Sequence, residues 1–278
     1  MISDYECFAI SVENGIAHLL LNRPEKSNSL TRAFWSDLPA VVDELSRSGK
    51  VRAMIISAQG KVFCGGLDLQ MFSTATEFHA TCPEEREVMQ VNLERMQGAL
   101  NALERARFPV IAAVQGACIG GGLDLIAACD LCFASEVAKF RIEETNVGMM
   151  ADLGVLQRLP RLIPAGVARY LALTGETLDA AEAYRLGLLV KVFPTAEELL
   201  NGAFATARRI AELPPVAING IKRAMIYGRD HGVYESLQHT VLLQSAILSG
   251  QDILRSLGAR TTGAPAHFHD LLALKNAF

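Results

Sequence analysis

Apolar residues come along this chain in short runs, and the runs alternate with longer stretches of helical spacing. Residues 16–21 (IAHLLL), 51–57 (VRAMIIS) and 110–114 (VIAAV) read as buried strands. The polar segment Asn22-Arg23-Pro24-Glu25-Lys26-Ser27-Asn28 is turn-forming. Thr31 is placed to cap a helix running to about Ser48, which Pro39 should kink or split. Residues 59–68 form a glycine-rich loop, and the spacing predicts a long helix over 83–107. Residues 116–128 begin as a glycine-rich turn and continue as a helix. Short strands follow at 130–134 and 139–142, small helices at 153–158, 165–173 and 178–186, and a last strand at 190–193. Gly187 suits the end of the third small helix. From Ala196 onward the pattern is helical, with breaks near Pro214-Pro215, Gly228 and Gly250. The expected organisation is an α/β body over residues 1–195 and a helical C-terminal region over 196–278.

Half of the 278 residues are apolar, enough for a sizeable core in one large domain. Lys plus Arg number 26 and Asp plus Glu 30, a net charge of −4. That balance argues against a nucleic-acid binder relying on a general positive field, and leaves room for a local basic patch facing a phosphorylated small molecule. The first residues carry no basic, apolar leader, and no apolar run reaches the ~18 residues of a membrane span. The ending Asn276-Ala277-Phe278 is not a peroxisomal tripeptide, so a soluble cytoplasmic protein is expected. Six cysteines are sparse for this length, and Cys129-x-x-Cys132 lacks the second pair a zinc site needs. Buried, inert thiols without disulfides are expected. His267 and His269 read as part of a mobile tail, and no metal site is expected.

Two loops carry the candidate chemistry. Phe63-Cys64-Gly65-Gly66-Leu67-Asp68-Leu69 and Gly116-Ala117-Cys118-Ile119-Gly120-Gly121-Gly122-Leu123-Asp124-Leu125 each follow a buried strand. Glycine there lets a ligand approach the main chain, and the first N–H groups of a helix point outward without internal partners. Two such loops, converging, can offer two N–H groups to one carbonyl oxygen: an oxyanion hole. Either loop alone would be explained by tight helix–sheet packing. Two loops ending in the same Gly-Gly-Leu-Asp-Leu favour the oxyanion reading. The spacing departs from G-x-G-x-x-G and no Walker lysine follows, which disfavours a nucleotide-binding turn.

These paired loops, with Gly116-x-x-x-Gly120-Gly121-Gly122-x-Asp124-Leu125, and the later run from Ala134 to Leu159 resemble the crotonase (enoyl-CoA hydratase/isomerase) superfamily, over residues 16–257. The resemblance implies an α/β fold built as a spiral of ββα units, with a helical C-terminal region that assembles trimers, often paired into hexamers. Within that family the stretch Phe140-Arg141-Ile142-Glu143-Glu144-Thr145-Asn146-Val147-Gly148-Met149-Met150-Ala151-Asp152-Leu153-Gly154 resembles the dienoyl-CoA isomerase branch. So does Ile226-Tyr227-Gly228-Arg229-Asp230-His231 with Glu235-Ser236-Leu237. The backbone N–H groups of Leu67 and Gly121 would then be the oxyanion donors, and Asp124, Glu144 and Asp152 the catalytic acids. Asp124 stands where a hydratase carries the longer Glu, and Asp152 where it carries no acid. Lys26, Asp68, Leu69 and Gly120 would lie along the CoA and substrate path, with CoA entering as part of the substrate and no separate cofactor.

The implied reaction moves a 3,5-dienoyl-CoA to its 2,4 isomer in fatty acid β-oxidation. A proton leaves one carbon and another arrives further along, which requires an acid and a base at different carbons. Asp152 would be the base at C2 and Glu144 the acid at the distal carbon, or the reverse, with Asp124 an orienting neighbour. Like charges and apolar surroundings would push one carboxyl towards its protonated form. Each acid also has a plainer role open to it. Asp124 can serve the dipole of its own helix, Glu144 can be solvated, Asp152 can cap a helix starting near Leu153, and Glu143 can face solvent. Two other functions stay open: hydration of a 2-enoyl-CoA by Asp124 and Glu144, and a non-catalytic or RNA-binding homologue, against which the net charge argues.

Overall fold

Strand residues alternate between two buried environments, and this alternation sets the layers. The computed structural model describes residues 2–68, 70–71 and 80–274. Its strands are β1 Ile2–Asp4, β2 Phe8–Glu13, β3 Ile16–Leu21, β4 Ala53–Ala58, β5 Val62–Cys64, β6 Val110–Val114, β7 Ala117–Ile119, β8 Leu131–Ser135, β9 Lys139–Arg141, β10 Leu178–Asp179 and β11 Lys191–Phe193. The helices among the described residues are α1 Arg32–Ser48, α2 Pro83–Arg105, α3 Gly121–Ala127, α4 Val155–Leu162, α5 Ala165–Thr174, α6 Ala180–Leu186, α7 Ala196–Ala211, α8 Pro215–Asp230, α9 Val233–Ile247 and α10 Gly250–Thr262. The larger sheet has the order β1-β2-β3-β4-β6-β8-β11, and the smaller β10-β9-β7-β5.

β4, β6 and β8 lie side by side and parallel in the larger sheet. The strand that follows each of them, β5, β7 and β9, goes to the smaller sheet, where these three are again parallel. Each turn of the chain therefore lays one strand in each sheet and then runs into helix. This is the expected spiral of ββα units. On one face of the larger sheet, Leu19, Met54, Ile56, Ala112 and Val114 join the main core. On the other, Ile16, Ala53, Ile55, Ile111 and Phe133 meet Leu199, Ala203 and Ala207 of α7. Those three recur every four residues, one stripe of a helix laid over a pleated surface.

Several local expectations are corrected. α1 is not split at Pro39, and Phe34, Trp35, Leu38, Val41 and Val42 are buried on both sides of it. Thr31 is the N-cap residue, but its side chain caps nothing; its Oγ1 lies 3.2 Å from Cys7 Sγ. β5 and β7 occupy stretches expected to be loop and turn. The segment expected as one helix over 178–186 opens as β10, and Asp179 then caps α6 by accepting from the Glu182 N–H. All six cysteines are free.

The described part of the tail after α10, residues 263–274, is hydrogen-bonded to the body rather than free of it. Arg52 donates to Asp270 Oδ1 at 2.7 Å and to the Phe268 carbonyl at 2.9 Å. Arg107 donates to the Leu272 carbonyl at 3.0 Å, and the Leu274 N–H donates to the Arg47 carbonyl at 2.8 Å. His269 sits 3.2 Å from Arg255 within this strap. No described helix is long and apolar enough to cross a membrane.

α8 is pinned to the body by Lys222, whose ammonium is buried and donates to the Leu103 carbonyl at 2.7 Å, the Phe108 carbonyl at 3.0 Å and Asp130 Oδ2 at 2.7 Å. Lys222→Met leaves those acceptors without their donor. It should cost roughly 3 kcal/mol, read as a lower denaturation midpoint at unchanged m-value. An unchanged midpoint overturns the assignment.

Candidate active site

The parallel pairing of β5 with β7, Val62 opposite Ala117 and Cys64 opposite Cys118, brings both glycine loops to one end of the smaller sheet. Leu30 then bridges to Leu67: the Leu30 N–H donates to the Gly66 carbonyl at 2.8 Å, and the Asp68 N–H donates to the Leu30 carbonyl at 3.0 Å. Those bonds use the groups on either side of Leu67, so its own N–H points away from Leu30. A Cβ placed on Gly121 would lie 3.9 Å from the Leu67 nitrogen, and one on Gly66 would lie 3.7 Å from the Gly121 nitrogen. The two N–H groups are therefore neighbours, and neither has an acceptor among the described backbone hydrogen bonds. Gly66 has φ +95°, and a side chain there would also meet the Ile119 carbonyl oxygen at 3.1 Å. Only glycine at 66 lets the loops approach this closely.

Asp124 lies in the first turn of α3 and is 0% exposed. Its Oδ1 accepts from the Val155 N–H at 2.6 Å, while its Oδ2 is buried with no partner. The carboxylate thus takes the first N–H of α4, thirty-one residues on. Asp152 does not cap that helix; the N-cap is Gly154, with no side-chain bond. Glu144 opens a 3-10 turn over Glu144–Val147, and its Oε2 is also buried without a partner. A Cβ on Gly120 would stand 3.2 Å from Glu144 Oε1, which puts this carboxyl against the second glycine loop.

The charges of these acids act on Asp124 and Glu144. Burial, then the charge of Glu144, pushes Asp124 up to about 7 against the opposing Val155 N–H, and Asp152 adds to the rise. Burial also raises Glu144, with the charge of Asp152 contributing. Asp152 is raised by burial. Asp124, Glu144 and Asp152 thus form one electrostatically coupled cluster.

The remaining expected residues are placed as follows. Asp68 is buried and turns to Arg23 at 3.2 Å, Ser29 Oγ at 3.0 Å and the Gln70 N–H at 3.0 Å. The Gln70 N–H, against burial and with help from Ser29 and Arg23, holds its carboxyl below the usual range. This carboxylate ties together the loops that carry Leu30 and Leu67. Lys26 is exposed in the 3-10 turn Pro24–Lys26. Leu69 lies outside the described residues. Glu143 is part-buried and paired with Arg141 rather than facing solvent. Sequence reasoning missed Val155, whose N–H holds Asp124, and Gln97, whose Nε2 donates to the Asp152 carbonyl at 2.7 Å. Neither leaves a local signal in the chain.

The Asp124 shift has a sign that stability can read. Its folded pKa lies above the ordinary 3.8, at about 7. Between those values the folded chain holds a proton that the unfolded chain has released, so stability falls as pH rises through that window. Asp124→Asn removes this loss. The melting temperature of the variant minus that of the wild type should grow from about pH 5 to about pH 8. A constant or shrinking difference overturns the reading.

Comparison with known proteins agrees with this geometry. The enoyl-CoA hydratase/isomerase family model matches residues 11–264. The chain is 38% identical to the mitochondrial Δ3,5-Δ2,4-dienoyl-CoA isomerase of Rattus norvegicus, over 92% of this chain and 80% of that protein. It is 36% identical to the peroxisomal Δ3,5-Δ2,4-dienoyl-CoA isomerase of Arabidopsis thaliana, over 90% of this chain and 91% of that one. A solved structure of a probable enoyl-CoA hydratase/isomerase from Mycobacterium abscessus superposes with TM-score 0.84 at 32% identity, covering 95% of this chain and 99% of the other. The mitochondrial and peroxisomal location of these relatives corrects the expectation of a cytoplasmic protein, which rested on terminal motifs and the lack of a long apolar run. The spiral of ββα units, the two facing N–H groups and the sequence match together make this chain a member of the enoyl-CoA hydratase/isomerase family.

Proposed function

We propose that this enzyme moves the double bonds of a 3,5-dienoyl-CoA to the 2,4 positions, in fatty acid β-oxidation. The observation that carries the reading is the state of Asp124. Its Oδ1 is held by the Val155 N–H and the residue has no exposed surface, so it is poorly placed to hold a water with Glu144, as hydration requires. Asp152, a third carboxyl coupled to that pair, suits proton movement along the acyl chain instead.

The scheme is as follows. Asp152 takes a proton from C2, and the electron pair runs into the thioester carbonyl and the conjugated diene. The resulting oxyanion lies between the Leu67 and Gly121 N–H groups, where each donor is worth about 10²–10³ in rate. Glu144 gives its proton to the far carbon, C6, and the electrons return as the 2,4-diene. Asp152 ends protonated and Glu144 ionised, and one proton passing back resets the pair. The split of roles follows the electrostatics: burial, with the charge of Asp152 adding to it, raises Glu144 and suits it to the role of the acid. Asp124, near neutrality in its own titration, limits the negative charge of the cluster. CoA enters as part of the substrate, with exposed Lys26 beside the first glycine loop as a donor to its phosphates.

The helical C-terminal region leaves apolar side chains exposed, among them Met225 and Leu242 at 71% each. Patches of this kind mark contact surfaces. We assign this face to self-association as a trimer or a pair of trimers, which sedimentation equilibrium tests.

Asp152→Asn should lower turnover of 3,5-dienoyl-CoA, followed by the absorbance of the 2,4-dienoyl product, by about 10²–10⁴-fold while product binding persists. Near-wild-type turnover sinks the role of Asp152. Efficient water addition to a 2-enoyl-CoA, with no dienoyl isomerisation, favours the hydratase instead.

A further inference from the structure

The loop that carries Asp152 is held by contacts that the chemistry above does not use. Gln97 of α2 donates to the Asp152 carbonyl at 2.7 Å. Arg158, in the first turn of α4, folds back over the loop: its Nη1 donates to the Leu153 carbonyl at 3.3 Å and its Nη2 to Asn101 Oδ1. Its Nε donates to Glu104 Oε1 at 2.9 Å. Glu104 receives a second guanidinium, that of Arg229 from α8, at 2.5 Å. Burial pushes the Glu104 carboxyl up, but the bonds and charges of Arg229 and Arg158 outweigh it and hold it ionised below its ordinary value. Gly154 completes the arrangement. It has φ +123°, and a Cβ there would lie 1.9 Å from Arg158 Nη1. Glycine at 154 therefore serves two ends: it turns the chain and leaves room for the guanidinium.

With the Val155 N–H bonded to Asp124 and the Gly154 carbonyl taking the Gln157 and Arg158 N–H groups, the main chain from Asp152 to Val155 is tied on every side. A carboxylate on a tied loop is aimed in advance. A carboxylate on a loose one must be aimed at each turnover, and misplacement by about 1 Å can cost on the order of 10² in rate.

We infer that Arg158, seated on Glu104 and Asn101 and braced by Arg229, is a positioning residue that together with Gln97 fixes the Asp152 loop for proton transfer. The inference deepens the isomerase reading and rests on Asp152 acting in it. Arg229 belongs to the segment that resembles the isomerase branch, and this contact gives that segment a use: it reaches the catalytic loop from the C-terminal region. These residues line an open cavity of about 380 Å³, so a small solute can reach the site of the Arg158 head group.

That access supplies the test. Arg158→Ala should lower kcat for 3,5-dienoyl-CoA by about 10²-fold with KM nearly unchanged. Guanidinium at sub-denaturing concentration should restore part of the loss, and should restore nothing to Asp152→Asn. Amide exchange at residues 152–155 should quicken in Arg158→Ala and slow again with guanidinium. If Arg158→Ala does not fold, Gln97→Leu removes a single clamp bond and should show the same fall in kcat and faster exchange at smaller size. Unchanged kcat, or a fall that follows only the folded fraction and ignores guanidinium, overturns the inference. If the wild type does not isomerise 3,5-dienoyl-CoA, the functional reading has failed by itself. Amide exchange then still decides whether the clamp holds the loop.

Discussion

The hydrogen bond from the Val155 N–H to Asp124 joins the two halves of this site. Asp124 lies three residues after Gly121, one of the two facing N–H donors, in the same turn of α3. Val155 lies three residues after Asp152 and opens α4. One 2.6 Å contact therefore sets the glycine-loop N–H groups against the loop that carries Asp152. It also satisfies the first N–H of α4, which Gly154, lacking a side chain, cannot do. A buried carboxyl is costly, and here the cost has a return. The group that caps the helix is also the one whose raised pKa tempers the charge of the cluster.

Only a cluster with protons to share suits this chemistry. Burial raises the pKa of all three carboxyls, and repulsion adds to it at Asp124, from Glu144 and Asp152, and at Glu144, from Asp152. Arg158 is the cation among the groups that lower Asp124, and its charge is shared with Glu104. The planar fork of its guanidinium meets acceptors from Leu153, Asn101 and Glu104 at once.

Parts of this were legible in the chain and parts were not, for reasons of range. The glycine loops showed because close approach of backbone leaves a residue-type signature at the position itself, as at Gly66 and Gly116. β3 and β6 showed because their runs are apolar throughout in β6 and interrupted only by His18 in β3. β5 and β7 did not, since three residues beside glycine carry no periodic signal; only their pairing across the smaller sheet makes them strands. β2, FAISVE, mixes apolar and polar positions too loosely to announce itself before its pairing with β3 is known. Pro39 misled because its local cost is plain in sequence while the burial that offsets it is not. Asp152 carried the composition of a helix cap, and the cap came from Asp124, a partner no local pattern could reveal. The tail misled similarly, being held by Arg47, Arg52 and Arg107, more than a hundred residues away.

The C-terminal helices have a closer tie to the chemistry than an appended region would. Lys222 grips the carbonyl of Leu103 in α2, and Arg229, seven residues later on α8, pairs with Glu104 next to it. Seven residues are close to two helical turns, so both side chains come off one face of α8 and seize adjacent residues of α2. The C-terminal end of α2 is thereby fixed at two points. Asn101 and Gln97, about one and two turns earlier on that helix, are the residues that hold the Asp152 loop through Arg158 or directly. Rigidity thus passes from α8 through α2 to the Asp152 loop along hydrogen bonds and ion pairs that can each be named. An assembly contact that steadies α8 in one protomer would, by the same route, steady the aim of its Asp152.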